Sequence, residues 1–275
     1  DLLQVTPETA KAWDTRLDGR PLGGLGDLSI TSLSSFKMVS ALFGGVLCAR
    51  EPALVERARA LGRAEAGSVP RGPFVQILVK AALHGAATAP GFFDGVTLPL
   101  LRPLIARRPE ALERAATGNL AVLLGRDADD PPQHVPTSYL FPFTAFQARL
   151  ALASLAELDG RVARLRALAA RLLALPGVAA RAPAAHPGGE PVYWRFPLRA
   201  RSDEGLWGRL LAHGVTPSRG RLPVLSERPA FSFAGARDLP GARAVQAEHL
   251  LLPVHGDLDA ARADALVAVA SEVLA

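Results

Sequence analysis

Residues 26–45 pass from a β-prone run through small polar residues to a glycine pair, which predicts a strand, a tight loop and a second strand. Leu28, Ile30, Thr31 and Leu33 form a β-prone run; Ser32, Ser34, Ser35 and Phe36 then lead to Lys37. Gly44 and Gly45 close the segment, and a short strand runs from Gly45 to Ala49. The next segments have a helical period. Glu51 and Pro52 start a helix to about residue 61, and Leu54, Val55, Ala58 and Leu61 on one face would pack it on the sheet. Phe74, Ile77, Leu78 and Ala81 predict a second helix over 73–89, weakened by Gly85 and ended before Pro90. Residues 99–116 are helical in outline but split by Pro103 and Pro109. The longest amphipathic run spans 144–175, with Phe146, Leu150, Leu155, Leu158, Val162, Leu165, Leu168 and Leu172 at helical spacing and Gly160 as its bend. Arginines 161, 164, 166 and 171 line its other side.

Beyond residue 177 the elements shorten. Residues 192–198 read as a strand, with Pro197 marking an edge or an end. A helix over 206–213 stops at Gly214, and an irregular segment runs to Pro240. A short helix at 242–249, an apolar run at 250–254 and a last helix over 258–274 complete the chain. This order fits a small α+β domain, and Pro142 marks the boundary before it. The glycine-rich stretch 19–26 lacks the Gly-x-x-x-x-Gly-Lys spacing of a phosphate loop and reads as a connection.

With 275 residues the chain has room for two domains at about 100 to 200 residues each. Its net charge of +5 comes from arginines scattered along helices, so no clustered nucleic-acid footprint is present. A single cysteine, Cys48, excludes an internal disulfide framework and suits a reducing cytoplasm. No apolar run reaches the roughly 18 residues of a membrane span, and no secretory signal peptide is present, so no membrane partner is expected. The acid- and proline-rich stretch 127–136, which includes His134, lacks calcium-loop spacing and reads as an exposed loop.

The candidate chemistry centres on Lys37. The chain has three lysines, Lys11, Lys37 and Lys80, against a large excess of arginine. A lysine between two apolar strands is driven toward the neutral amine by desolvation, which is the form that attacks a carbonyl. The alternative is a side chain that snorkels out of the turn into water. Lys80, in mid-helix, is expected to be solvated. Ser32, Ser34 and Ser35 supply hydroxyls beside backbone amides, an arrangement suited to a phosphate. His213 fits a helix end, and His249 and His255 match no catalytic pattern. Arg219 and Arg221 could reach an anionic substrate.

Gly26-Asp27, ten residues to Lys37, then Gly44-Gly45 resembles the cofactor-lysine segment of the DegT/DnrJ/StrS aminotransferases, a branch of the fold-type I enzymes that use pyridoxal 5'-phosphate (PLP). The resemblance implies that Lys37 forms the Schiff base with PLP and that Ser32, five residues before it, contacts the phosphate. Asp1-Leu2-Leu3-Gln4 matches an upstream Asp-x-x-Gln, which assigns Asp1 to the pyridine nitrogen and Gln4 to the ring hydroxyl. A carboxylate on that nitrogen keeps it protonated and able to accept electrons. Residues 147–159 resemble the helix that joins the two domains, and Leu252 to His255 the turn before the last helix.

The fold implied is α/β and fold-type I PLP-transferase-like. Residues 1–141 would be the C-terminal portion of the PLP-binding large domain, with a mainly parallel sheet, and 142–275 the linking helix and small α+β domain. The remainder of the large domain, with its phosphate-cradling helix N-terminus and ring-stacking residue, is expected upstream of Asp1. The activity implied is transfer of an amino group, glutamate being the usual donor, to a keto group on a nucleotide-linked sugar or related cyclic ketone. The enzyme would be cytoplasmic and a homodimer with a shared active site. The sequence departs from the family pattern at Met38, where asparagine is usual, at Phe43, where an acid is expected, and at Leu140 and Pro142, where Asn-x-Arg is common. These departures keep two alternatives open: an inactive relative with a dimerisation or regulatory role, and another fold-type I enzyme such as a lyase or desulfurase.

Overall fold

A computed structural model describes residues 5–6, 14–34, 37–68, 71–97, 99–100, 103, 141–201, 205–218, 224–227 and 238–275. Asp1, Gln4, Arg219, Arg221 and His134 lie outside the described residues, as do the acid–proline stretch and nearly all of the helix expected at 99–116. The chain forms two compact units, one of residues 1–58 with 145–275 and one of 59–144.

In the first unit, the strand–loop–strand pattern around Lys37 folds as expected. Strand β1 (Val5–Thr6) precedes β2 (Arg16–Leu17), β3 (Arg20–Pro21), β4 (Leu28–Ser32) and β5 (Gly45–Ala49). A sheet of order β1-β4-β5 has one parallel pairing, β1 with β4, and one antiparallel pairing, β4 with β5. Among the described residues, the parallel character expected of this sheet is thus confined to one pair. β6 (Gly189–Glu190) joins β2 and β3 in a second small sheet. β7 (Phe196–Arg199) and β8 (His249–Leu252) form an antiparallel pair, which leaves Pro197 on an edge strand where its missing N–H is tolerated.

The long helical run is two helices. α3 covers Ala145–Ala156 and α4 covers Leu158–Leu173, numbered after α1 (Pro52–Glu65) and α2 (Arg71–Thr88). The break falls at Glu157 (φ −96°, ψ −2°), whose carboxylate pairs with Arg161, and Gly160 lies inside α4. Leu158, Val162, Leu165, Leu168, Ala169 and Leu172 are all buried, as their spacing requires. Each fully buried leucine of this row stabilises the fold by about 1.5–3 kcal/mol. The arginines on the opposite side are anchored as well as wet: Arg166 pairs with Asp14 and Arg171 with Asp264. After α5 (Pro176–Ala179), with Pro176 at its start, come α6 (Leu206–Ala212), α7 (Pro240–Glu248) and α8 (Ala260–Val273). Asp259 caps α8 by accepting a hydrogen bond from the Arg262 amide at 2.8 Å. One hydrophobic core joins Leu33, Met38, Val39 and Ala41 of the lysine loop to α4, β7, β8 and α8.

α1 begins at Pro52 as the capping pattern predicts, but none of its residues is fully buried and Leu61 is 58% exposed. The other three residues of its apolar face, Leu54, Val55 and Ala58, are half-buried. In the second unit, α2 half-buries Phe74, Ile77, Leu78 and Ala81 on one face and exposes Lys80. Among the described residues, no helix is long and apolar enough to cross a membrane.

Candidate functional site: the Lys37 loop

The loop that presents Lys37 is closed by its own backbone. Ladder pairs run from Leu28 with Ala49 to Ser32 with Gly45, and the Leu33 amide extends them by donating to Gly44 O at 2.9 Å. The Ala41 amide donates to Leu33 O at 2.8 Å and draws the neck shut. Two residues on the return leg take the left-handed region, Leu42 at φ 71° and Gly44 at φ 94°. Gly45 is required for a different reason: a Cβ there would lie 2.8 Å from Thr31 O across the ladder. On the outgoing leg the Ser34 amide donates to Ser32 Oγ at 3.4 Å and the Lys37 amide to Ser34 O at 3.0 Å. Serine hydroxyls make such local turns in place of secondary structure.

Lys37 itself is half-buried, and its Nζ lies 5.0 Å from the centre of the Trp194 indole. The Arg195 guanidinium carbon is 4.8 Å from the same ring. Desolvation between apolar elements favours the neutral amine, while an aromatic face attracts an ammonium by about 0.5–2 kcal/mol. Trp194 comes within reach because the strand predicted over 192–198 begins only at Phe196. Tyr193 takes φ 57°, and its ring stacks on Phe196 with centres 5.2 Å apart. The signal available in the sequence was the Trp194–Arg195 pair, a large aromatic and a cation inside an otherwise apolar strand pattern.

Three side chains from α3 and α4 fix the loop beyond Lys37. Gln147, fully buried, donates through Nε2 to Phe43 O at 3.1 Å and to Ala41 O at 3.4 Å. Ser154 Oγ donates to Met38 O at 3.3 Å and accepts from the Ser40 amide at 3.3 Å. Arg161 adds a second donor to Met38 O at 3.1 Å and another to Ser154 Oγ at 3.0 Å. The helical pattern predicted a single run over 144–175 with Arg161 on its wet side, and gave Gln147 and Ser154 no part in holding the loop.

Of the site residues expected from the sequence, Ser32 and Lys37 share one hairpin. Ser32 ends β4, half-buried, and Lys37 follows in the loop. Asp1 and Gln4 lie outside the described residues; the nearby strand β1 pairs with Leu28 and Ser29, at the end of β4 away from the loop. The donor set of the hairpin fits part of what a phosphorylated aromatic aldehyde needs: one primary amine, hydroxyls at Ser32 and Ser34, and an indole beside the amine. Cys48 is exposed on β5.

No protein-family model and no curated protein sequence matches the chain. Solved structures do. A DegT DnrJ EryC1 StrS aminotransferase from Brucella abortus has a TM-score of 0.63 at 15% identity, over 99% of this chain and 57% of its own. The sugar aminotransferase CalS13 from Micromonospora echinospora has a TM-score of 0.61 at 19% identity, over 98% of this chain and 58% of its own. A Streptococcus pneumoniae protein, solved in a PLP form, has a TM-score of 0.57 at 15% identity, over 99% of this chain and 59% of its own. The likeness is one of fold: the chain has the α/β fold of these aminotransferases and spans less than three-fifths of their length.

Proposed function

We propose that this chain is the lysine-bearing part of a PLP-dependent aminotransferase that moves an amino group, with glutamate as donor, to a keto group on a nucleotide-linked sugar or related cyclic ketone. The observation that carries the reading is Lys37, presented by a hairpin whose neck and return leg are pinned, in a chain with the fold of sugar aminotransferases. A neighbour from Streptococcus pneumoniae solved in PLP and PMP forms supports the choice of cofactor.

PLP, when bound, supplies an electron sink for a carbanion. Lys37 would hold it through Nζ and, once displaced by the amino donor, carry a proton at Nζ to and from the substrate carbon. The Ser32 hydroxyl would face the phosphate, Asp1 would keep the ring nitrogen protonated, and Gln4 would lie by the ring hydroxyl. On this reading residues 1–141 belong to the cofactor domain and 142–275 are the linking helix and small domain of a cytoplasmic homodimer with a shared active site.

A second reading, an inactive relative, is favoured by Met38. The residue beside the lysine is buried in the core and offers no polar side chain where the family usually carries asparagine. Adding PLP to the full-length protein separates the two. The aminotransferase reading expects a visible absorbance band, trapped by borohydride on Lys37 and lost in Lys37→Ala. Absence of the band overturns it in favour of the inactive relative, and a band without amino transfer from glutamate to keto sugars favours a lyase.

A further inference from the structure

Arg161 touches more partners around the lysine loop than any packing role needs. A guanidinium has five N–H donors in a fixed plane, and four contacts are made here to four different groups. Nη1 donates to Met38 O at 3.1 Å and to Ser154 Oγ at 3.0 Å. Nε donates to Asp257 Oδ1 at 2.9 Å, and Nη2 to Glu157 Oε2 at 2.8 Å. The side chain is 19% exposed, so these contacts are partly shielded from water. Asp257 belongs to the turn before α8. Gly256 in that turn is buried against Arg161, since a Cβ there would lie 2.8 Å from Arg161 Cβ. Arg164, three residues on along the same helix, donates to Gly256 O at 2.6 Å. Arg161 therefore spans two segments far apart in the chain: the peptide just after Lys37 and the turn at 256–257.

Resting on the aminotransferase reading, we infer that Arg161 is a positioning residue for Lys37: it fixes the Met38 carbonyl against Ser154, aims the lysine, and ties that aim to the turn at Asp257. The lysine side chain leaves the backbone one residue before the clamped carbonyl, so a loop released by about 1 Å displaces the amine from attack geometry and can slow its reaction on the order of a hundredfold. Lysine cannot replace arginine here, because an ammonium lacks the planar fork that reaches Met38 O and Asp257 together.

The test follows two readouts on the full chain: the rate at which PLP and borohydride modify Lys37, by peptide mass spectrometry, and amide hydrogen exchange at Leu33, Lys37 and Ala41 without PLP. Arg161→Met is expected to slow capture at Lys37 about tenfold or more and to raise exchange at those three amides. Arg161→Lys is expected to restore neither, and Asp257→Asn to give a smaller slowing. Arg171→Met, which removes an ion pair from the same helix without touching the loop, is expected to behave as wild type. Capture in Arg161→Met at the wild-type rate, or equal slowing in Arg171→Met, overturns the inference while the aminotransferase reading stands. If wild type captures no aldehyde at Lys37, that reading falls and takes the inference with it. Should Arg161→Met not fold, Asp257→Asn against Arg171→Met decides: slower capture in the former supports the inference, and equal rates overturn it.

Discussion

Leu33, Val39 and Ala41 in the lysine loop are 1%, 1% and 0% exposed, whereas Val46 and Leu47 in the strand that follows are each 36% exposed. Loops ordinarily run over the surface and strands fill the core, so this hairpin is inverted. The inversion follows from what covers each part. α3 and α4 lay Gln147, Ser154 and the apolar row of α4 against the loop, and the turn preceding α8 reaches it through Arg161. β5 is an outer strand of its sheet among the described residues. A lysine set in such a loop is placed by packing, and the strands chiefly supply the register that delivers it.

Substitutions along the hairpin can break or sharpen this contrast, each read as a change in urea midpoint at constant slope. Leu33→Ala is expected to be the most damaging, at about 2–5 kcal/mol, because it empties a core position. Gln147→Leu should follow at about 2–3 kcal/mol, since it removes the amide that serves the carbonyls of Ala41 and Phe43. Gly45→Ala should lose about 1 kcal/mol or more, as the new methyl group meets Thr31 O. Leu47→Ser on β5 should change stability by less than about 0.5 kcal/mol. A Leu47→Ser loss matching that of Leu33→Ala would mean that the strand, and not the loop, carries the packing.

The two strands around Lys37 were legible from their β-prone residues and the buried row of α4 from its 3.6 period, but not which face of β4 is covered, since Ser29 and Thr31 are buried and Ile30 is 48% exposed. The contacts that aim the lysine were not legible. Ser154 and Arg161 fall within the row that Leu150, Leu158, Leu165 and Leu168 define, polar residues among apolar ones, and the backbone they hold lies more than a hundred positions upstream. Gln147 is polar and fully buried, a combination that hydrophobic patterning is built to overlook. Gly160 invited a bend that the chain takes instead at Glu157, since one glycine weakens a helix only modestly once packing holds it. Trp194 was hidden by the left-handed turn at Tyr193, a conformation that a tyrosine rarely adopts and that sequence pattern does not announce.

Cys48, the one thiol of the sequence, lies exposed on β5 directly across the ladder from Ser29. A fluorophore or nitroxide can therefore be attached at a single defined point on the lysine hairpin without altering any residue. Movement of that hairpin when an aldehyde is added can then be followed by spectroscopy in the unmutated protein.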